Sequence, residues 1–188
     1  MSKKRDDITA AAERLLYREG FGTVGIDRIV GEADVALGTF YRHFPHKEDV
    51  IVAALLHREA AYMTALEGEP AQPRGAEAIL SLFDRLLDWA EASDRNGCFF
   101  LRAAGEHAAP GPIRKAALAH KQRMLRLVTA RLRLGGWDNV AADRLAPTIF
   151  VLLEGAVAAA FTLGDRRAVA AAKDTADLLL ASDPGAPA

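Results

Sequence analysis

Three glycines near the N-terminus have the spacing of a nucleotide-binding loop. Gly20, Gly22 and Gly25 stand in the stretch GFGTVG, a literal G-x-G-x-x-G pattern. In a dinucleotide site such glycines follow a β-strand and open a helix whose N-terminus holds pyrophosphate. Here they follow an amphipathic helical pattern, and no alternating strand pattern is present to build a sheet. We interpret Gly20 as a helix cap and Gly25 as the start of the next helix; a nucleotide-dependent enzyme is the alternative.

The residue types that ligate metals or act as nucleophiles do not form a recognised motif. The five histidines include no pair four residues apart, and no H-E-x-x-H motif or cysteine cluster is present. Glu106 and His107 are adjacent, so their side chains point apart on a helix. The single cysteine, Cys98, excludes an intrachain disulfide and is interpreted as a small core residue rather than an electrophile sensor. We therefore predict a protein that is not an enzyme and uses no metal and no cofactor.

The stretch VALGTFYRHF at residues 35–44 concentrates aromatic residues in a chain that is only 7% aromatic. On a helix, Phe40 and Phe44 are separated by about 40° and share one face, which can anchor the helix. The remaining surface then presents small, hydroxyl-bearing and cationic side chains: Gly38, Thr39, Tyr41 and Arg42, with His43 at its edge. This combination suits a helix that is packed on one side and contacts a polyanion on the other.

The preceding segment completes a helix-turn-helix pattern over residues 25–44. A two-turn helix, a tight turn at Asp34 and Val35, and a second helix have the length and order of this motif, whose second helix enters the major groove of DNA. The predicted DNA contacts are Gly25, Ile26, Ala36, Leu37, Gly38, Thr39, Tyr41, Arg42, His43 and Lys47. An ordinary buried helical hairpin with a solvated polar face is the alternative.

The stretch GFGTVGIDRIVGEADVALGTFYRHFPHKEDV resembles the N-terminal segment of TetR-family transcriptional regulators, over about residues 5–55. The matching positions are Gly20, Phe21, Ile29, Ala33, Val35, Gly38, Thr39, Tyr41, His43, Phe44, Lys47 and Glu48. The resemblance implies a homodimer in which each chain supplies one DNA-reading head. It also implies a variable helical C-terminal domain that dimerises and binds a small ligand. Most members of the family repress transcription and release DNA when that ligand binds.

Several positions depart from the family pattern. Gly25 stands where a threonine usually caps the second helix, and Asp34 replaces the usual turn glycine. Ala36 replaces a common serine and Leu37 a frequently polar residue, which removes two possible phosphate contacts. His46 stands where a small capping residue is common. These changes affect the operator and the affinity rather than the fold, and they leave open a ligand-binding dimer with a weakened DNA-reading head.

Helical periodicity continues to the end of the chain and predicts an all-α protein of about nine helices. We expect a three-helix DNA-binding domain at residues 2–62, a helical ligand-binding and dimerisation domain at 63–182, and a frayed tail at 183–188. The clearest break is EGEPAQPRG at 67–75, which holds two prolines and two glycines. Later helices are predicted at about 76–93, 97–108, 112–134, 139–163 and 165–181.

The middle helices carry residues that suit a pocket for an amphipathic organic ligand, because aromatic walls with a few polar groups are typical of such sites. The candidates are Trp89, Phe100, Arg102, His107, His120 and Met124. Core packing is the alternative interpretation, since aromatic residues are usually buried.

The last two helices are predicted to form a two-fold dimer interface. Small residues in LLEGAVAAA allow helix backbones to approach closely, and two copies of both helices would make a four-helix interface. The predicted interface residues are Leu152, Leu153, Gly155, Ala156, Ala159 and Ala160. A protein with two-fold symmetry reads a palindromic operator.

Composition describes a chain with little net charge. The 188 residues are 51% hydrophobic and carry a net charge of −1, so a core can form. The charged N-terminal segment lacks an apolar signal core, and we expect a cytoplasmic protein. The apolar run at 145–163, in which Glu154 is the only charge, is nearly long enough to span a bilayer. We interpret it as a helix buried against a second copy, with no membrane contact.

Overall fold

The computed structural model describes residues 2–68, 73–92 and 96–187. Within these residues the protein forms nine α-helices and no strand, which confirms the all-α prediction. The helices are α1 (Lys3–Glu19), α2 (Ile26–Glu32), α3 (Leu37–His43), α4 (Lys47–Glu67), α5 (Glu77–Ala92), α6 (Phe99–Glu106), α7 (Pro112–Gly135), α8 (Asn139–Leu163) and α9 (Arg167–Ala181). Part of the predicted break, residues 69–72, and the predicted end of the fifth helix at 93 lie outside the described residues, as does Ala188.

The chain divides into two compact units. The first contains residues 1–63 and 98–120, and the second contains residues 64–97 and 121–188. This division differs from the predicted boundary near residue 62, because α6 and the first part of α7 share a core with the N-terminal helices. Phe99, Phe100 and Ala103 of α6 belong to the same buried cluster as Ile8 and Leu15 of α1.

Helix α1 shows why the N-terminal unit forms from this sequence. Its apolar residues recur with the helical period, and Ile8, Ala11, Ala12 and Leu15 are fully buried. The helix ends at Gly20, whose φ of 96° is accessible to glycine and costly for other residues. The N–H of Gly20 donates a hydrogen bond to the carbonyl oxygen of Leu16 at 3.0 Å, which closes the last turn.

The second unit is organised around α8, which packs against α9, while α5 packs against both. Asp138 caps the start of α8, because its carboxylate accepts a hydrogen bond from the N–H of Ala141 at 2.8 Å. Gly164 ends the helix with a φ of 67°, the left-handed conformation that commonly terminates helices.

The end of the chain is held in place, and the prediction of a frayed tail is wrong for residues 183–187. Asp183 is only 7% exposed, and its carboxylate accepts a hydrogen bond from the guanidinium of Arg144. The same carboxylate accepts the N–H of Gly185 at 2.8 Å. The hydrogen bond from Arg144 is the main cause that lowers the pKa of Asp183. An ion pair with α8 and a hydrogen bond within the turn therefore fix a segment whose composition is typical of a disordered terminus.

Candidate nucleic-acid interface

Helices α2 and α3 are joined by a turn whose geometry the sequence explains. The N–H of Val35 donates to the carbonyl oxygen of Val30 at 3.2 Å, and the N–H of Asp34 donates to that of Gly31 at 3.3 Å. This pair of bonds is the Schellman motif, which requires a left-handed residue after the helix. Asp34 occupies that position with a φ of 49°, where glycine is usual. The structure therefore contains the tight turn that the helix-turn-helix pattern predicts.

Two phenylalanines anchor α3 on the N-terminal unit. Phe40 is fully buried and Phe44 is 1% exposed, with ring centroids 5.8 Å apart. Ile29 of α2 lies in the same buried cluster, and Val35 from the turn packs against it. Because these contacts fix the rotation of α3 about its own axis, they determine which of its side chains face outward.

The outward surface of α3 contains most of the predicted DNA contacts. Leu37 and Tyr41 are 45% and 48% exposed and lie one turn apart, on neighbouring positions of the helix surface. Ala36, Gly38 and Arg42 are exposed, while Thr39 and His43 are half-buried. Arg42 has no ion-pair partner within the described residues, so its guanidinium is available to a phosphate.

The start of α4 lies beside this surface in sequence and serves two purposes. Asp49 accepts a hydrogen bond from the N–H of His46 at 2.9 Å, so a carboxylate caps the helix although residue 46 is a histidine. Lys47 donates a hydrogen bond from Nζ to the carbonyl oxygen of Phe21 at 2.8 Å. The predicted phosphate ligand Lys47 therefore also fixes the loop between α1 and α2.

Two residues of α6 contact this loop and the last turn of α1 before it, and the sequence did not indicate either contact. The carboxylate of Glu106 accepts hydrogen bonds from the N–H groups of Phe21 and Gly22, at 3.1 and 3.0 Å. Arg102 donates from Nη1 to the carbonyl oxygen of Tyr17 at 2.7 Å. Glu106 thus holds the loop that leads into the helix-turn-helix, and Arg102 holds the last turn of α1 before that loop.

The first two predicted contacts lie at the start of α2. Gly25 is exposed, and Ile26 is partly buried against the core of the N-terminal unit. Contact between Ile26 and a phosphate would therefore come from its backbone N–H rather than from its side chain. No side chain caps this helix, in agreement with the loss of the usual threonine at position 25.

Comparison with known proteins assigns both parts of the chain. The family described as "Bacterial regulatory proteins, tetR family" matches residues 8–54. The family described as "Transcriptional regulator LmrA/YxaF-like, C-terminal domain" matches residues 75–175, which is more than half of the chain. The chain belongs to the TetR family. This membership confirms the predicted family and the prediction of a regulator rather than an enzyme.

Individual relatives agree with the TetR assignment. A solved TetR-family transcriptional regulator from Streptomyces coelicolor is 29% identical, with a TM-score of 0.83 over 95% of this chain and 94% of that chain. The HTH-type transcriptional regulator EthR of Mycolicibacterium smegmatis is 33% identical over 85 residues, 40% of this chain and 39% of EthR. The HTH-type transcriptional regulator TcmR of Streptomyces glaucescens is 28% identical over 87 residues, 46% of this chain and 38% of TcmR. In these sequence matches the chain spans less than half the length of each curated relative.

The predicted ligand-binding residues of this TetR-family chain make internal contacts. In the first unit, the rings of Phe100 and His120 stack with centroids 3.5 Å apart, and Nδ1 of His120 lies 3.5 Å from Oε1 of Glu59. His107 follows α6 and its Nδ1 lies 3.0 Å from the carbonyl oxygen of Ala103. In the second unit, Met124 is 2% exposed and Trp89 is half-buried. Phe100 and His120 pack as core residues, in agreement with the alternative interpretation, while the Arg102 and His107 side chains contact backbone carbonyl groups.

A shallow cavity of about 330 Å³ lies at the turn between α6 and α7. It is lined by Glu48, Glu106, His107, Ala108, Ala109, Pro110, Gly111, Ile113 and Arg114. Of the six predicted ligand-binding residues, only His107 lines this cavity. Small and aliphatic residues line it beside charged side chains, without the Trp and Phe side chains that the sequence predicts for a ligand pocket.

The predicted dimer residues of α8 fall on different sides of the helix. Leu153 and Ala156 are each 3% exposed, so their assignment to the dimer interface is wrong: they pack in the core of their own protomer. Leu152, Ala159 and Ala160 are half-buried, and Gly155 is exposed. The apolar groups that face outward from α8 and α9 include Val151, Phe161 and Leu178, at 66%, 49% and 72% exposed.

Helix α8 is also the one candidate for a membrane span among the described residues. The helix is long and apolar enough to cross a bilayer. Its most apolar 18 residues have a mean hydropathy of 1.8, and 28% of them are buried. The core helix of a soluble protein can have the same length and composition. Its first half contains the exposed charges Asp143 and Arg144, and the latter is paired with Asp183.

Proposed function

We propose that this TetR-family chain is a cytoplasmic transcriptional repressor that binds a palindromic DNA operator as a homodimer and releases it when a small amphipathic organic ligand binds. The observation that carries the proposal is the outward surface of α3. Phe40 and Phe44 fix the helix from below, while Tyr41 and Arg42 stay exposed above. A hydroxyl and an exposed guanidinium beside the small residue Gly38 are suited to phosphate contacts and close approach in a major groove.

The apolar surface of α8 and α9 supports the proposal of a homodimer. Val151 and Leu178 leave most of their side-chain surface in water in a single chain. Gly155 lies on α8 between Val151 and Phe161, and a Cβ atom at this glycine would meet open space within its own protomer. A second copy would cover the exposed side chains and could pack closely against the bare backbone of Gly155. The two-fold axis of such a dimer would impose a palindromic operator.

The contacts of α6 support a route by which a ligand would release DNA. Phe100 lies in the first turn of α6 and stacks on His120 of α7. Glu106 of the same helix binds the loop before α2, and Arg102 binds the last turn of α1. An amphipathic ligand that separates Phe100 from His120 would displace α6. That displacement would withdraw hydrogen bonds from the loop and shift α2 and α3, because two-state changes in packing transmit such shifts.

Selection of bound duplexes from a random-sequence DNA pool, with purified full-length protein at a fixed salt concentration, tests the proposal. We expect enrichment of a palindrome whose half-site spacing reflects the two reading heads. Recovery of no sequence above background, with and without cell extract as a source of ligand, would contradict the proposal. That result would favour a ligand-binding dimer with a weakened DNA-reading head.

A further inference from the structure

Leu37 is an exposed aliphatic side chain on the surface that faces DNA in the proposed function. It is the first residue of α3 and is 45% exposed. Within residues 25–44, which the structure describes completely, the large hydrophobic side chains with this degree of exposure are Leu37 and Tyr41. Tyr41 carries a hydroxyl that can reach phosphate, whereas Leu37 has no donor or acceptor in its side chain.

The fold does not explain the apolar character of this position. The core contacts of α3 are made by Phe40 and Phe44, which are 0% and 1% exposed. The next residue, Gly38, has an ordinary helical conformation, and a Cβ atom there would meet no atom within 4 Å. A glycine inside a helix lowers helix stability, and no neighbouring atom of the protomer requires one here. Leu37 and Gly38 therefore form an aliphatic side chain beside a stretch of bare backbone, open to an external partner.

The chemistry of the major groove identifies that partner. Each base pair presents a distinct set of groups there, and the one apolar group is the C5-methyl of thymine. Phosphate oxygens and the polar edges of guanine, cytosine and adenine offer nothing to an aliphatic side chain. Arg42 supplies a guanidinium on the same exposed surface of α3, so phosphate attraction can hold the helix at the groove.

We infer that Leu37 determines operator specificity by contacting the C5-methyl group of a thymine, with Gly38 allowing the helix backbone to approach. Each half-site then contains an A·T pair at one fixed position, read through the thymine methyl rather than through hydrogen bonds. The inference rests on the proposed function, because it requires α3 to lie in a major groove. It adds the base and the atom that one side chain recognises.

Replacement of thymine by uracil tests the inference, because uracil pairs identically and lacks only the C5-methyl. Each thymine of the enriched palindrome would be replaced in turn, in both half-sites together, and the dissociation constant measured at one salt concentration. Loss of one buried methyl contact predicts weakening of about fourfold per half-site, hence about fifteenfold for both. We expect this loss at one thymine position of each half-site.

Variants of the protein assign the effect to Leu37. Leu37→Ala should bind the thymine and uracil duplexes with equal affinity, while retaining binding of both. Leu56→Ala is the matched control, since Leu56 is 53% exposed on α4, and it should keep the wild-type preference for thymine.

Three outcomes overturn the inference. Wild-type binding that is insensitive to uracil at every position would refute it and leave the proposed function intact. A uracil effect of equal size in Leu37→Ala would assign the methyl contact to another residue. Failure of the wild-type protein to bind any duplex would overturn the proposed function and, with it, this reading of Leu37.

Discussion

The carboxylate of Glu106 accepts a hydrogen bond from the backbone N–H of Phe21 at 3.1 Å. The two residues are 85 positions apart, and they lie in segments that match different family descriptions, 8–54 and 75–175. Both nevertheless belong to one compact unit. The helix-turn-helix of this chain is therefore built with α6 as a structural member, which gives the second segment direct access to the loop before α2.

Removal of the Glu106 carboxylate should loosen this loop. Glu106→Ala leaves the N–H groups of Phe21 and Gly22 without their acceptor, and we expect a loss of about 1 kcal/mol because the site is exposed to water. The melting temperature should fall by about 2–4 °C, and affinity for the operator should fall with it. Glu32→Ala, which removes only the surface ion pair with Arg14, is the control and should change stability less. Equal losses of stability in the two variants would show that the Glu106 hydrogen bonds stabilise the protein no more than a surface ion pair does.

The turn between α2 and α3 carries strain that substitution can measure. Asp34 has a φ of 49°, a conformation that asparagine and aspartate tolerate better than other L-residues and that glycine adopts freely. Asp34→Ala should destabilise the protein by about 1 kcal/mol, whereas Asp34→Asn should be nearly neutral and Asp34→Gly neutral or stabilising. Urea denaturation of the three variants checks this order. An Asp34→Ala variant as stable as the wild type would mean that residue 34 does not adopt the left-handed conformation.

The ion pair at the end of the chain should make stability depend on acidity. The hydrogen bond from Arg144 lowers the pKa of Asp183 in the folded protein. The contribution of Asp183 is therefore complete above its unfolded pKa of about 3.9 and is lost as pH falls through the folded value. Asp183→Asn should have a lower melting temperature than the wild type at neutral pH. The difference between the two melting temperatures should become smaller below about pH 4. A difference that stays constant across this range would exclude a charged Asp183 as the cause.

Substitutions on opposite sides of α8 should separate association from folding. Val151 is 66% exposed, so Val151→Lys should shift the protein toward a monomer in sedimentation while the helical spectrum of each chain is preserved. Leu153 is 3% exposed, so Leu153→Ala should cost about 2–5 kcal/mol of stability by leaving a cavity in the protomer. A Val151→Lys protein that sediments as a wild-type dimer would contradict the proposed interface.

The N-terminal helices could be predicted from the sequence because the residues that determine them lie close together along the chain. The apolar period of α1, the turn at Asp34 and the pair Phe40 and Phe44 all lie within a few residues of what they organise. The motif predicts a tight turn at Asp34 and Val35, and the structure has that turn, with Asp34 in the left-handed conformation.

The remaining features depend on contacts that the local pattern does not encode. Glu106 and Asp183 bind partners far away in sequence, at Phe21 and Arg144, so helical periodicity and turn composition gave no sign of either contact. The run at 145–163 of α8 has Glu154 as its only charge, so its pattern does not show which side faces the core. The small residues of LLEGAVAAA predict a dimer interface that includes Leu153 and Ala156, although both are buried within the protomer.

The ratio of two dissociation constants tests sequence-specific DNA binding by α3 directly. These are the constants for the selected palindrome and for a scrambled duplex of the same length and composition, at one salt concentration. The wild-type protein should prefer the palindrome by about a thousandfold or more. Arg42→Ala should weaken binding to both duplexes. It should also reduce the slope of log binding constant against log salt concentration by about one per chain, because one phosphate contact is lost. A wild-type ratio near one would contradict sequence-specific reading by this helix.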